Sequence, residues 1–258
     1  CGLTEENPRP ELFELMIQVP IGGSKFRWFS GSLLVHTIIG TLLLAIMFAL
    51  HWGHSTPRVA VEIAAMAWTG AHQYFGPNIL GAVSTVLFHS GGNVDRAIAC
   101  ACMLVVLAIE FFVGYCVYRA PQKGVATSPV DEKDSSVPAM AVFRHEFRAT
   151  DDDAPDTDSG FSITGDTILD LFNPRFDGCR DFNTTSHRCF SSFEFALSSA
   201  VAVISGSRPD THCGAASIAV AVIAALGLAL NLYWRPYRTR LDTIFSILTY
   251  VVLLFLAI

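Results

Sequence analysis

Long apolar runs without a charged side chain dominate the pattern of this chain. Residues 29–52 and 214–234 contain no Asp, Glu, Lys or Arg, and a third uncharged run, 243–258, is still apolar at the last residue. The hydrocarbon core of a bilayer takes about 20 apolar residues as helix, so these runs predict transmembrane helices. Two more apolar stretches, 97–118 and 190–206, predict further spans. The predicted fold class is all-α, a polytopic transmembrane helix bundle with a long, largely disordered acidic loop.

The polar segments between the spans predict how the chain is organised. Residues 1–28 form a juxtamembrane segment, 29–118 and 190–258 hold the transmembrane helices, and 119–189 is a polar, acidic loop. The first residue is Cys1, and the last apolar run has no polar residue after it. We therefore expect a fragment of a longer polypeptide, with its final helix truncated.

The apolar run 63–94 is harder to interpret. It carries no Lys, Arg, Asp or Glu, but Gly76-Pro77-Asn78 divides it into two halves. As helix each half covers under about 20 Å, which is short for a crossing. We predict a broken apolar segment over 59–94, either two half-helices that enter and leave the membrane or two interfacial segments; one long helix kinked at Pro77 is the alternative. A pore or substrate loop and a buried pair of helices both remain open.

Two titratable residues stand out inside the predicted spans. An ionised carboxylate in hydrocarbon costs several kcal/mol, so Glu110 should be protonated, paired or facing a wet cavity. It is the candidate intramembrane polar residue for an ion or proton role. A position nearer the interface, or a structural bond to a neighbouring helix, is the alternative. His36 is expected to bond a backbone carbonyl or face a neighbour.

The loop 119–189 combines several prolines with a run of aspartates and few aliphatic residues. This composition is typical of a solvated, disordered segment. Within it, 165–172 has the pattern of a short amphipathic helix that lies on the membrane surface or against the bundle. Asn183 begins a possible glycosylation sequon, and Cys179 and Cys189 could pair, and both features suit an extracellular loop.

Small residues recur at every fourth position in two of the later spans. The two sets are Ser198, Ala202 and Gly206 in one helix, and Ser217, Ala221, Ala225 and Ala229 in the next. Such stripes let helix backbones approach closely in lipid. We expect these two helices to pack as an antiparallel hairpin.

Basic residues near the span ends set the expected orientation. Arg235, Arg238 and Arg240 lie between the last two spans, and Lys25 and Arg27 precede the first. Short loops rich in Lys and Arg stay in the cytoplasm. If the broken segment returns to the side of the membrane on which it begins, both basic groups and the acidic loop are cytoplasmic. The sequon at Asn183 is then not glycosylated. A single long crossing would break this agreement.

Composition and motifs narrow the classes of function. The chain is 52% hydrophobic and 16% charged, with a net charge of -6 and a mean hydropathy of +0.44. No basic patch for nucleic acid is indicated, and no catalytic nucleophile and base, phosphate loop or Cys/His metal spacing appears. We expect no enzymatic activity, no cofactor and no bound metal. The expected partners are the lipid bilayer and other transmembrane helices.

The segment LNLYWRPYRTRLD is the most motif-like part of the chain. Its interface turn consists of Arg235, Pro236, Tyr237 and Arg238. The proline ends one helix, the arginines hold the turn in water, and Asp242 is expected to open the next helix as its N-cap.

A span that ends in RPYR and is soon followed by another span resembles the membrane region of large protist surface proteins and of the fungal transient receptor potential-like family. Over most of its length, the chain most resembles the C-terminal multi-pass region of the trypanosome dispersed gene family of surface proteins. This resemblance implies a plasma-membrane protein with an upstream ectodomain in the same chain, extracellular, β-rich and adhesin-like. It carries over no catalytic or binding residue.

Three functions follow as expectations. The first is a multi-pass membrane anchor for a large cell-surface protein, which needs one more span upstream if Lys25 and Arg27 are cytoplasmic. The second is a fragment of a transient receptor potential-like ion channel or transporter that uses Glu110 and the segment at Pro77. The third is an adaptor whose 119–189 loop recruits cytoplasmic partners.

Overall fold

The computed structural model describes residues 10, 15–21, 24–53, 58–90, 92–119, 171–172, 184–207, 213–237 and 240–257. Most of the predicted acidic loop, with its aspartate run, Cys179 and Asn183, lies outside the described residues. Within them the chain is all-α, as the apolar runs predict.

Seven helices follow one another along the described part of the chain. They are α1 (Arg27–Trp52), α2 (Arg58–His89), α3 (Asn93–Arg119), α4 (Thr185–Arg188), α5 (Phe190–Ser207), α6 (Cys213–Trp234) and α7 (Arg240–Ala257). Four of them, α1, α3, α5 and α6, are long and apolar enough to cross a membrane. Only 17 to 22% of the most apolar stretch of each is buried inside the bundle, which leaves most of its surface for lipid. The chain is therefore an integral membrane protein built as a helical bundle.

α2 is one continuous helix through the run that was predicted to be divided. It extends from Arg58 to His89 with Pro77 inside it, so the predicted broken segment over 59–94 is wrong and the alternative of one long helix is right. Pro77 lacks the N–H that would bond the carbonyl of Gln73. α1, α3 and α5 all pack against α2, and this packing offsets the lost backbone bond.

Hydrogen bonds between α1, α2, α3 and α5 bring their ends together at one end of the bundle. The Ser30 hydroxyl of α1 donates to Asp95 Oδ1 of α3 over 2.7 Å. His89 Nε2, at the end of α2, lies 2.7 Å from the carbonyl oxygen of Ser207, at the end of α5. The start of α1, the turn between α2 and α3, and the end of α5 therefore form one end of the bundle, which we call the Asp95 end.

The opposite helix ends meet in the same way. Arg188 Nη2 of α4 donates to the carbonyl of Tyr118, near the end of α3, over 3.1 Å. His187 Nε2 lies 2.9 Å from the carbonyl oxygen of Trp234, where α6 ends. We call this the Arg235 end, after the residue that follows α6. Long helices that follow one another in the chain thus run in alternating directions between the two ends.

This arrangement corrects the predicted orientation. Lys25 and Arg27 lie beside the start of α1, at the Asp95 end, whereas Arg235 and Arg240 flank the turn at the opposite end. Because α2 crosses the whole bundle, the two basic groups lie on opposite sides. The prediction that both are cytoplasmic is wrong.

The closest helix packing in the bundle joins α2 and α5. A Cβ added to Gly206 would lie 2.0 Å from the carbonyl oxygen of Gly81, so the two backbones touch. The Ser84 hydroxyl donates to the carbonyl of Val203 over 2.8 Å, and the Thr85 hydroxyl donates to that of Gly206 over 2.8 Å. α5 and α6 are antiparallel neighbours as expected, but the small-residue stripe of α5 uses its Gly206 end against α2.

α6 packs on α7 through the face that carries Gly227, whereas its small-residue stripe was predicted to pack on α5. The Tyr250 ring of α7 covers Gly227, where a Cβ would lie 2.3 Å from a ring carbon, and Ala224 is fully buried. Three residues of the predicted stripe are exposed, namely Ser217, Ala225 and Ala229. Because these residues are exposed, the stripe is wrong as the surface that packs on α5.

The turn between α6 and α7 begins where the sequence predicts. α6 ends at Trp234, and Arg235 adopts a left-handed φ of 45°, the conformation that commonly ends helices ahead of a proline. α7 begins at Arg240, so Asp242 lies within its first turn and is not the predicted N-cap. Arg238 lies outside the described residues.

Two residues of the predicted amphipathic segment 165–172 are described, and both are buried. Leu171 and Phe172 pack in a cluster with Met47 of α1 and Val113 of α3. The segment was expected to lie either on the membrane surface or against the bundle, and these two residues lie against the bundle.

Candidate functional site

A histidine and a glutamate meet between α2 and α3. His72 Nε2 lies 3.2 Å from Glu110 Oε2, and the side chains are 7% and 14% exposed. Of the situations expected for Glu110, the structure shows pairing with a neighbouring helix. The sequence analysis singled out Glu110 but not His72. Because α2 was predicted to be broken, the sequence analysis did not place residue 72 on a helix beside residue 110.

Aromatic rings hold the His72 side chain in position. Trp68, one turn earlier on α2, stacks on the imidazole with centroids 5.0 Å apart and planes 10° apart. Phe195 of α5 stacks on it at 5.1 Å and 6°. A Cβ on Gly76 would lie 2.5 Å from the Phe195 ring, so a larger residue there would displace it. The two rings fix the imidazole plane and orient Nε2 toward Glu110.

A cavity of about 160 Å³ lies beside this pair, between α1, α2 and α3. His36 and His72 line it together with Phe75 and otherwise mainly aliphatic side chains. Gly40 opens onto it, since a Cβ there would have no neighbour within 4 Å. In the part of the chain that the structure describes, no Asp, Glu, Lys or Arg lines this cavity.

An extended segment of residues 15–21, which we call the strap, lies against α1 and covers one side of the cavity. Its Val19 carbonyl oxygen occupies the place of a side chain on Gly31, 1.7 Å from where a Cβ would stand. The Ile17 N–H donates to His36 Nε2 over 3.4 Å. Ile17 and Met16 both line the cavity.

The two ring nitrogens of His36 have distinct partners. Nδ1 lies 2.8 Å from the carbonyl oxygen of Ser32, one turn earlier on α1, and therefore carries the proton that bonds it. Nε2 accepts from Ile17. His36 is thus a neutral side chain with both nitrogens bonded, and the expected bond to a backbone carbonyl is confirmed.

A second carboxylate, Glu194 on α5, lies in a cluster that sequence reasoning missed. It accepts hydrogen bonds from the Tyr237 hydroxyl and, over 2.8 Å, from the Ser246 hydroxyl of α7. Asn231 of α6 donates to the same Ser246 oxygen. The only local signal was a glutamate inside a short apolar stretch, and its partners come from two other elements.

The Tyr237 phenol gives this cluster a pH dependence. Burial, and then the adjacent Glu194 carboxylate, raise the pKa of Tyr237 well above its usual value. Tyr250 also faces this phenol. The neutral phenol is therefore part of the folded state, and its contribution is complete below the ordinary tyrosine pKa, about 10, and is lost as pH rises above it.

We expect the free energy of unfolding to fall above about pH 10, by up to about 1.4 kcal/mol per pH unit from this group. Tyr237→Phe should make the fall shallower, because the ionising group is gone. Thermal unfolding in lipid nanodiscs from pH 8 to 11 measures this, and Tyr233→Phe, at a residue 82% exposed, is the matched control. An equal alkaline slope in wild type and Tyr237→Phe would contradict the assignment.

The other predicted site residues lie in the turn after α6 or outside the described residues. Arg235 is exposed and Pro236 is buried behind it, while Asn183 and Arg238 lie outside the described residues. Among the residues described, no group of three or more His, Cys, Asp or Glu side chains could hold a metal ion.

Comparison with protein-family models, with curated proteins and with solved structures finds no match to this chain. The class of protein is therefore defined by the fold and the site alone. It is a polytopic integral membrane protein whose helices enclose a cavity and several buried polar clusters.

Proposed function

We propose that this chain is the multi-pass membrane-anchoring region of a larger, adhesin-like cell-surface protein of the plasma membrane. The observation that carries the proposal is the opposite position of its two basic groups. Lys25 and Arg27 lie at the Asp95 end, and the turn between α6 and α7 lies at the other. The N-terminal flank and this turn therefore face opposite sides of the membrane.

The arginine-rich turn between α6 and α7 indicates the cytoplasmic side more strongly than Lys25 and Arg27 do. Short loops carry the most weight in the positive-inside rule, and Arg235, Arg238 and Arg240 lie in one. Arg58 and Arg119 bound helices at the same end. We therefore assign the Arg235 end to the cytoplasm, and an ectodomain joined to the N-terminal flank is then extracellular without an additional span.

The buried polar groups of the bundle support a structural role. Asp95 is held by Ser30 and Ser90, and Glu194 by Tyr237 and Ser246. A polar group in hydrocarbon is stable only when it has internal partners, and such partners also tie helices together. These two buried carboxylates are satisfied in this way and tie helices together, as an anchor requires.

The proposed orientation can be tested on the full-length protein in eukaryotic cells. An epitope tag in the N-terminal flank should bind antibody on intact cells, whereas a tag inserted within 125–160 should bind only after permeabilisation. Asn183 should remain unglycosylated, so glycosidase treatment should not change the gel mobility of the wild-type protein or of Asn183→Gln. A mobility shift that Asn183→Gln abolishes, or a loop tag accessible on intact cells, would reverse the orientation.

The anchoring role itself has a separate readout. A secreted reporter fused before residue 1 should be retained at the surface and removed by protease added to intact cells. Reporter found only in the medium or only inside the cell would contradict the anchor, whatever the orientation.

A second candidate, the transient receptor potential-like channel or transporter, rests on the His72–Glu110 pair beside the cavity. Titratable pairs within membrane spans often mark ion or proton paths. Reconstituted full-length protein should then carry a current that Glu110→Gln alters and that Glu62→Gln, at an exposed site, does not. Absence of current in the wild-type protein leaves the anchor as the only proposal of the two.

A further inference from the structure

The cavity between α1, α2 and α3 has the size and chemistry of a ligand site. A protein cavity of roughly 150 Å³ lined by apolar side chains stays dry and binds a single-ring molecule such as benzene. The present cavity, of about 160 Å³, is of that size. Its walls are mainly aliphatic, including Ile79, Val106 and Ile109, with the ring of Phe75 among them.

The two histidines beside the cavity are already engaged, whereas the buried Thr37 hydroxyl in the described wall has no hydrogen-bond partner. Both nitrogens of His36 are bonded, to Ser32 and to the strap, and His72 Nε2 is paired with Glu110. No formal charge of Asp, Glu, Lys or Arg lines the described walls. A charged occupant would lose its hydration without gaining an opposite charge, and one neutral hydroxyl offers little compensation. The cavity therefore favours an uncharged, apolar molecule.

The strap reaches an unusual depth for extended backbone. Its Ile17 bonds His36, which lies about 14 Å along the helix from Arg27 at roughly 1.5 Å per residue. Non-helical backbone at membrane depth is tolerated only where it is buried in protein or lines a cavity. The missing side chain of Gly31 gives the Val19 carbonyl room to dock. The strap thus has a specific seat on α1 beside the cavity.

We infer that the cavity binds a compact, uncharged, apolar molecule about the size of one six-membered ring, and that residues 15–21 cover its entrance. The occupant lies between His36 and His72 in contact with Phe75. The strap is held by the long hydrogen bond to His36, by its seat on Gly31, by a 2.9 Å hydrogen bond from the Ile21 N–H to the Arg27 carbonyl, and by Leu15, which is buried in the core. None of these contacts is a hydrogen bond within a helix, so the strap can separate from α1 without unfolding one.

Azidobenzene is a suitable probe for the site. The protein in lipid nanodiscs is irradiated with this probe, with and without excess benzene, and labelled peptides are identified by mass spectrometry. We expect labelling of α1 and α2 peptides around residues 36–41 and 71–79 that saturates with probe and is suppressed by benzene. Labelling that never saturates and is spread over all lipid-facing helices would overturn the proposal.

Two glycines provide matched variants. Gly40→Leu places a side chain in the cavity, whereas Gly70→Leu places the same side chain on the exposed face of α2; neither Cβ has a neighbour within 4 Å. Gly40→Leu should reduce the saturable labelling at least tenfold and keep the helical content, and Gly70→Leu should retain the labelling. Equal labelling in both variants would show that the probe binds elsewhere.

A substitution at Gly31 tests whether the strap covers the entrance of the cavity. Gly31→Ala puts a methyl group where the Val19 carbonyl lies, which displaces the strap. The rate of saturable labelling should rise severalfold in this variant and stay unchanged in Gly70→Ala. An unchanged rate in Gly31→Ala would overturn the role of the strap as a cover.

Discussion

Gly206→Leu is expected to destabilise the bundle by about 3 kcal/mol or more, by forcing α5 away from α2. The Cβ alone would lie 2.0 Å from the Gly81 carbonyl oxygen, and a backbone atom within a helix cannot swing aside. Separation also breaks the hydrogen bonds from Ser84 to Val203 and from Thr85 to Gly206. Reversible unfolding in mixed micelles, followed by helical circular dichroism, gives the free energy.

A graded series makes this prediction specific. Gly206→Ala should already cost about 1 to 2 kcal/mol, because the clash involves the first side-chain carbon. Gly214→Leu is the matched control on α6, since a Cβ at that glycine has no neighbour within 4 Å. If Gly206→Ala and Gly214→Leu were equally stable, the two backbones would not be in contact.

The spans could be predicted because exclusion of charge is a local property of the sequence. The predicted run 29–52 lies within α1, and the predicted run 214–234 lies within α6. Neither prediction required knowledge of a neighbour. The same reasoning located the end of α6 at Trp234, where a left-handed residue and Pro236 stop the helix.

The central helix could not be predicted in this way. Local reasoning broke the run at Pro77, because proline removes a hydrogen bond and half of the run is short for a crossing. What keeps α2 continuous is the packing of three neighbouring helices, which no window of the sequence contains. The error then propagated to the orientation, because a complete crossing moves Lys25 and Arg27 to the side opposite the arginine turn.

The candidate site shows the same limit. Glu110 was predicted from its charge alone, but its partner His72, the stacked rings of Trp68 and Phe195, and the cavity all arise from contacts between helices. The stripe on α6 failed for a related reason. Every face of that helix carries small residues, so composition could not select the face over which Tyr250 packs.

Asp95→Ala is expected to cost about 3 kcal/mol and to loosen the Asp95 end of the bundle. Asp95 is 3% exposed and accepts from the Ser30 hydroxyl at 2.7 Å and from the Ser90 hydroxyl at 3.1 Å. Ser90 Oγ in turn accepts from the Gly92 N–H at 3.1 Å, so the carboxylate links α1 to the turn between α2 and α3. Hydrogen bonds to a charged group are worth about 1.5 to 3 kcal/mol each, and two hydroxyls lose theirs.

A double-mutant cycle separates this role from a general effect of losing a charge. Ser30→Ala and Asp95→Ala should couple by about 1 kcal/mol or more, since each removes the partner of the other. Asp95→Asn should retain part of the stability, because one acceptor oxygen remains. Arg96→Ala, at the exposed neighbouring residue, should change the free energy of unfolding by less than about 0.5 kcal/mol. If the Ser30 and Asp95 variants lose free energy of unfolding additively, the carboxylate does not tie α1 to the turn. Native-state hydrogen exchange at the start of α1 should in that case be unchanged in Asp95→Ala.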